Sequence, residues 1–360
     1  MKKILFYINS IHYGGAERVI VNLANEFSKR NYKVVFVTSF KDNKEYILDE
    51  SIERITLEEN NLKKSFIKKN IFRTLNLRKV YKHHKPNIVI SFMAEPNFRA
   101  IAASMFLNIK NIISVRNDPN KAYPNILYRI VARILYPFAD GCVFQTDDAK
   151  KWFSNSIQKK SKIILNHVEK KFYNVSYKNQ RKNIISVGRL ESQKNQELLI
   201  RAFAIIAEDF PEEELKFYGD GSKREELINL SSMLGIRDKV KFIGSVNNIQ
   251  ERIKDAKLFV LSSNYEGLPN VLMEAMALGI PVISTDCPCG GPKMLIDNEK
   301  NGVLIKVGDT KGLADAMKRI LSNPSFAELL SDNARIKSKE FEPDKIFKIW
   351  ENYILSIIYE

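Results

Sequence analysis

Short β-branched runs alternate along the chain with stretches whose apolar positions recur every three or four residues. Residues 4–8, 33–38, 87–92, 111–115, 141–145 and 162–165 read as strands in the first half. Residues 183–187, 215–218, 240–243, 258–261, 281–284 and 303–307 read as strands in the second. Between them lie amphipathic stretches such as 16–29, apolar at Val19, Ile20, Leu23, Ala24 and Phe27, which predict helices. Strands separated by helices imply parallel sheets built from βαβ units. The alternation breaks at the polar stretch 169–183, the best linker. This gives a first domain over 1–175, a second over 182–340, and a closing helix over 341–360 carrying Ile346, Ile349, Trp350, Ile354 and Ile357.

The length of 360 residues agrees with two domains, at roughly 100–200 residues each. A hydrophobic fraction of 44% excludes wholesale disorder. Three cysteines cannot make a disulfide framework and fit a reducing cytosol. The apolar run after Met1 stops at Asn9-Ser10, too short for a signal peptide, and no window approaches a membrane span.

Charge changes this picture. The chain carries a net +15. Residues 1–180 hold 32 Lys/Arg against 15 Asp/Glu, a net +17, and residues 181–360 hold 25 against 27, a net −2. Such a split suggests that one half faces an anionic partner. The excess is densest at 61–85, with nine Lys/Arg, no acid and an apolar stripe of Leu62, Phe66, Ile67, Ile71 and Leu75, then Leu77, Val80 and Tyr81. A sheet-covering helix with a solvated basic face is the plain reading. Contact with anionic lipid is the functional one, and both can hold together.

Three strand ends carry candidate chemistry. Gly14-Gly15-Ala16-Glu17 opens a helix, where glycines admit a ligand to the backbone and the helix start favours an anion. The fingerprint G-x-G-x-x-G is missing, which argues against NAD or FAD. Gly188-Arg189-Leu190 with Lys194 places two cations after a strand, a candidate diphosphate clamp or else a solvated loop. Most specific is Glu266-Gly267-Leu268-Pro269-Asn270 followed by Glu274. Pro269 suits a helix start and Gly279 its stop, so Glu266 lies at the helix mouth and Glu274 inside. The two carboxylates would accept hydrogen bonds from hydroxyls of an elongated ligand, with phosphates received by the turn at 268–270. Glu266 as a helix cap and Glu274 as a solvated residue are the plain alternatives, though Val271, Leu272, Met273, Ala275 and Met276 make solvation of Glu274 a poor fit.

These motifs, with Gly219-Asp220-Gly221, resemble in order and spacing those of family 4 of the retaining glycosyltransferases over nearly the whole chain. The resemblance implies the GT-B architecture, an α/β fold of two Rossmann-like, doubly wound domains facing across a cleft. It implies that Arg189 and Lys194 hold the diphosphate of a nucleotide-sugar donor and stabilise the leaving nucleotide. Glu274 would take the ribose hydroxyls, and Glu266 the donor sugar, with Gly267, Leu268 and Asn270 beside it. Gly188 belongs to the same donor site, Gly244 and Ser245 to the loop near the base, and Gly14 and Gly15 to the opposite domain's glycine loop. Many family members place a histidine after the fifth strand of the first domain, where this chain has Arg116-Asn117-Asp118. A guanidinium is a poor acid or base, with a pKa above about 12. All three residues are therefore candidates for holding the acceptor or sugar.

The expected function is retaining transfer of a hexose or N-acetylhexosamine, best from a UDP-sugar, to a lipid-linked glycan in cell-surface polysaccharide synthesis. The enzyme would work in the cytoplasm, peripherally on the inner face of the cytoplasmic membrane. A GDP-mannose donor stays open, as do an inactive partner subunit and a nucleic-acid binder, the last without any recognisable motif. No Asp-x-Asp motif stands at a strand end, so no metal and no other cofactor is expected. Cys287-Pro288-Cys289 reads as a turn rather than a metal site, and Asp147-Asp148, after Thr146, as the cap and charged start of a helix.

Overall fold

The computed structural model describes residues 2–58, 65–174 and 181–359, without the side chain of Phe66. Leu62 and most of the polar half of the expected linker lie outside the described residues. The chain forms two compact units, Met1–Asn166 with Asp344–Glu360, and His167–Pro343.

In the first unit the strands are β1 (Lys3–Ile8), β2 (Lys33–Thr38), β3 (Glu53–Thr56), β4 (Ile88–Phe92), β5 (Lys110–Ser114), β6 (Gly141–Phe144) and β7 (Ser161–Ile163). They form one parallel sheet in the order β3-β2-β1-β4-β5-β6-β7. Sequence order reverses at β1 and β4, the doubly wound signature. Its helices are α1 (Gly15–Lys29), α2 (Phe66–His84), α3 (Ala94–Ser104), α4 (Pro119–Ala122), α5 (Ile126–Leu135), α6 (Asp147–Lys151) and α7 (Asn155–Lys159). Val19, Ile20, Leu23 and Phe27 of α1 bury one stripe against Ile4, Phe6 and Ile8. Trp350, Ile354 and Ile357 of the helix Pro343–Tyr359 join the same core. Leu77 and Tyr81 of α2 and Ala100 and Ala103 of α3 pack with Leu5, Tyr7, Val35 and Val89 in a second core. Odd and even residues of β1 thus serve opposite layers, as the period of two requires.

The apolar stripe expected on α2 is divided. Leu77 and Tyr81 are buried, whereas Ile67, Ile71 and Leu75 are exposed. Four-residue spacing brings the exposed three onto one face, away from the sheet.

The second unit holds β8 (Ile184–Val187), β9 (Leu215–Tyr218), β10 (Val240–Gly244), β11 (Leu258–Leu261), β12 (Val282–Thr285) and β13 (Val303–Ile305). They too are parallel, in the order β10-β9-β8-β11-β12-β13. Its helices are α8 (Gln196–Ile206), α9 (Arg224–Met233), α10 (Ile249–Ile253), α11 (Asn270–Ala277), α12 (Gly291–Leu295), α13 (Thr310–Ser322) and α14 (Pro324–Ser338), and Pro343–Tyr359 becomes α15. Leu198, Leu199, Phe203, Leu258, Val260 and Met317 are among its buried core. The units part at Asn166, earlier than residue 175, because the N–H of Val168 bonds the carbonyl of Phe341 (2.9 Å) and ties that segment to the second unit.

Candidate active site

The carboxyl ends of β8, β9 and β10 meet backbone to backbone. The N–H of Gly188 donates to the carbonyl of Tyr218 (2.9 Å) and that of Gly219 to Gly244 (2.8 Å). The N–H of Leu190 donates to the carbonyl of Asp220 (3.0 Å). Gly219 has a φ of +131°, and a Cβ there would collide with the carbonyl of Gly188. The motif Gly219-Asp220-Gly221 is therefore what lets two strand-end loops touch. This contact fixes the loop carrying Arg189, whose carbonyl accepts from Nε2 of Gln196 (2.9 Å) and whose side chain is exposed. Ser245, beyond Gly244, is exposed as well.

Lys194 and Glu266, assigned separately from sequence, are paired to each other. Nζ of Lys194 lies 2.5 Å from Oε1 of Glu266, with the two side chains 17% and 7% exposed. Oγ of Ser263 donates to the same oxygen (2.6 Å), and Nε2 of Gln193 reaches Oε2 (3.5 Å). A carboxylate so nearly removed from water requires such donors. The main chain of Glu266 is clamped too. Its N–H donates to the carbonyl of Pro288 (2.6 Å), and its carbonyl accepts from the N–H of Cys289 (2.9 Å). Cys287-Pro288-Cys289 is thus the turn that seats Glu266. Burial, with the nearby charge of Glu266, pushes the Cys287 thiol up to about 12, leaving it protonated and inert at neutral pH.

Helix α11 follows after Gly267 and Leu268, with Pro269 at its cap. Pro269 has no N–H, so the turn at 268–270 offers fewer donors to a phosphate than its length suggests. Glu274 lies on the fifth residue of α11 and is buried among Leu272, Met273, Ala275 and Met276, which removes the solvated reading. Gly279 ends the helix at a φ of +64°, with the N–H of Ile280 bonded to the carbonyl of Ala275 (3.0 Å). The strand-end loops and α11 so place Arg189, Lys194, Glu266 and Glu274 in the second unit.

In the first unit, Gly14 caps α1 and Gly15 begins it. The carboxylate of Glu17 folds over Gly14 and fills the space a Cβ would need. An anion approaching that helix start must meet this charge first. Asp118 is buried and accepts from the N–H of Asn120 (3.0 Å), so it caps α4, and the side chain of Asn117 accepts from the N–H of Asp118 (2.9 Å). Both spend an oxygen on their own loop.

Arg116 is different. Its guanidinium carbon sits 4.4 Å from the ring centroid of Phe92, Nη2 donates to Asn166, and Nη1 reaches Oγ of Ser114 at 3.4 Å. Its Nε is buried with no partner, and among the described residues no carboxylate pairs with it. Burial pushes the guanidinium down to about 9, below the range expected from sequence, yet it keeps its charge at neutral pH.

Sequence reading overlooked several supporting residues. Ser263 and Gln193 hold Glu266, and Asn166 receives both Arg116 and Nε2 of Gln145 (2.8 Å). Ser263 and Asn166 stand just past strand ends and Gln193 lies in the loop that carries Arg189 and Lys194, and that placement is the one signal that marks them. Thr146, not Asp147 or Asp148, caps α6 through the N–H of Ala149 (3.0 Å).

Known proteins match along the same lines. The family model described as Glycosyltransferase Family 4 covers residues 13–171, and that of Glycosyl transferases group 1 covers 168–337. An uncharacterized glycosyltransferase of Haemophilus influenzae is 29% identical over 98% of this chain and 100% of its own length. A Campylobacter jejuni protein is 30% identical over 99% of both chains. Its name is GalNAc-alpha-(1->4)-GalNAc-alpha-(1->3)-diNAcBac-PP-undecaprenol alpha-1,4-N-acetyl-D-galactosaminyltransferase. Among solved structures, sucrose-phosphate synthase from Thermosynechococcus elongatus superposes with a TM-score of 0.84 at 17% identity, covering all of both chains. Anabaena HepE in complex with UDP-glucose gives 0.80 at 18% identity, over 99% of this chain and 100% of that one. With two parallel Rossmann-like sheets and these matches end to end, the chain has the GT-B fold, belongs to glycosyltransferase family 4 and is a glycosyltransferase.

Proposed function

We propose that this glycosyltransferase moves a hexose or N-acetylhexosamine from a UDP-sugar to a membrane-held, lipid-linked glycan in cell-surface polysaccharide synthesis, with retention of configuration. The observation that carries this reading is the Lys194–Glu266 pair beside Arg189 at the strand ends, with Glu274 buried on the following helix. A sugar nucleotide departs readily once the charge growing on its diphosphate is met by fixed cations. Lys194 keeps donors to spare after binding Glu266, and Arg189 is open to a ligand. Glu266, anchored by its main chain, would accept from the sugar, and Glu274 from the ribose. In this reading the acceptor hydroxyl attacks on the face the nucleotide leaves. The residues supply the stabilisation alone, without a metal ion.

The lipid-linked acceptor is proposed from the Campylobacter relative, whose name specifies an undecaprenol-linked acceptor. The basic face of α2 supports it, since cations near an anionic membrane contribute about 1 kcal/mol each. Peripheral placement on the inner leaflet belongs to the same proposal. Among the described residues no helix is long and apolar enough to cross a membrane.

Thermal-shift titration with UDP, GDP and ADP, followed by transfer assays with the preferred sugar nucleotide and an undecaprenyl-diphosphate glycan, tests the reading. Stabilisation by UDP, transfer undiminished by EDTA and a product of unchanged anomeric configuration are expected. Preference for GDP would move the donor to GDP-mannose, and binding of no nucleotide would overturn the assignment.

A further inference from the structure

Helix α5 is amphipathic in the wrong sense for a helix that only covers a core. Ile126, Leu127, Ile130 and Ile134 are between 46% and 71% exposed, whereas Ala132 is buried. Taking about 100° per residue, the four exposed aliphatic side chains fall within one arc of about 100°, and Ala132 lies on the opposite side. Phe138, just beyond the helix, adds an exposed ring. Single exposed apolar residues are ordinary, but a contiguous face is not.

The charges around this face have one sign. Residues 119–139 contain Lys121, Arg129 and Arg133 and no acid. All three are exposed, and the two arginines flank the apolar arc about 20° and 60° from its edge. The nearest acid on a packed neighbour, Glu95 of α3, is engaged by the hydroxyl of Tyr128 (2.7 Å) and by Arg99 (3.3 Å). A second copy of the chain docking on this face would bring arginines against arginines. An anionic bilayer meets both features, taking the aliphatic face among its acyl chains and the cations among its head groups.

Helix α2 supports the same partner. Arg99 of α3 donates to Asn70 of α2, and Glu95 one turn earlier holds α5, so both helices are pinned to the start of α3. Each turns aliphatic residues outward: Ile67, Ile71 and Leu75 on α2, and the four named on α5.

We propose that α5 is a membrane-inserting helix, which lays its outward face Ile126-Leu127-Ile130-Ile134 into the interface of an anionic bilayer. This deepens the reading of a membrane-held acceptor and rests on it. Insertion of α5 would anchor the first unit at the surface where that acceptor lies.

Flotation of the full chain with vesicles of phosphatidylcholine alone, or with 30% phosphatidylglycerol, tests the proposal beside transfer to a detergent-soluble short-chain acceptor. Wild type is expected to float with the anionic vesicles only. The double variant Ile130→Ser/Ile134→Ser should lose about tenfold or more in vesicle binding, with unchanged melting temperature and unchanged transfer to the soluble acceptor. The variant Ile130→Trp should show blue-shifted emission quenched by brominated lipid. Undiminished flotation of the double variant, or a tryptophan insensitive to brominated lipid, would overturn insertion by α5 while leaving a membrane-held acceptor standing. Absence of flotation with normal soluble transfer would overturn membrane contact itself. A concentration-dependent dimer that the double variant abolishes, without vesicle binding, would reassign the face to self-association.

Discussion

Lys194 is where stability and chemistry meet at a single residue. Truncation by Lys194→Ala leaves Glu266 buried beside only Ser263 and Gln193. Breaking a pair of this kind by removing one partner costs about 3 kcal/mol, and losing a preorganised cation costs about 100-fold in turnover. Chemical denaturation and steady-state kinetics on the variant should show both losses. Arg116 predicts the reverse balance. Its folded pKa of about 9 lies below the usual arginine value, so folding disfavours its charged form. Between these two values the unfolded chain binds more protons, and stability from this group rises with pH. Below about 9 the cost is fully present and constant. Arg116→Met should therefore stabilise the ligand-free protein at pH 7 by about 1 kcal/mol, with a shallower rise in stability above pH 9, while reducing transfer. An unchanged or lower melting temperature at pH 7 would show that contact with Phe92 and Asn166 already compensates the charge.

Elements divide into those written in periodicity and those set by neighbours. The glycine meeting of β8, β9 and β10 belongs to the second kind. Gly219→Ala should cost several-fold more than Gly235→Ala, because both positions have positive φ but only the first lacks space for a methyl group. The Gly235 change carries backbone strain alone, about 1 kcal/mol, and paired denaturation curves measure the difference. Among the described residues, periodicity placed twelve of the thirteen strands, within a residue or two at their ends. It missed β3, since Glu53-Arg54-Ile55-Thr56 has one apolar residue and lies at the sheet edge against β2 alone. Polar edge strands carry little hydrophobic signal. In the site, Lys194 and Glu266 were both identifiable by residue type and spacing. Their pairing was not, because 72 residues separate them and only adjacent strand ends bring them together. Ser263, Gln193 and Asn166 are uncharged and carry no motif, so their place in loops that follow strands is the only trace in the sequence and packing alone shows what they hold. The outward face of α5 escaped for a related reason, as periodicity announces an apolar stripe without saying which way it faces.

The whole molecule is one unit interrupted by another. Trp350 is fully buried in the first core, yet it follows the entire second unit in sequence. Trp350→Ala should cost about 3–5 kcal/mol, confined to the first unit. Calorimetry with and without UDP should show this as a lowered transition that nucleotide does not restore, if the nucleotide site lies wholly in the second unit. The charge asymmetry between the two halves of the chain also takes a place in the structure. Helices α2 and α5, with their outward aliphatic faces, belong to the unit holding most of the +17 half, whereas Arg189, Lys194, Glu266 and Glu274 belong to the nearly neutral one.

The return of α15 to the first sheet has a consequence for the order of birth on the ribosome. Trp350, Ile354 and Ile357 emerge only after residues 167–343 have been made. At about 5–20 residues per second that interval is on the order of 10–30 s. During it the part of the first sheet's face which α15 covers is left bare beside α1, while the second unit has every strand it needs. The half that is begun first is therefore the half completed last, and its unfinished apolar surface is where a nascent-chain chaperone would be needed.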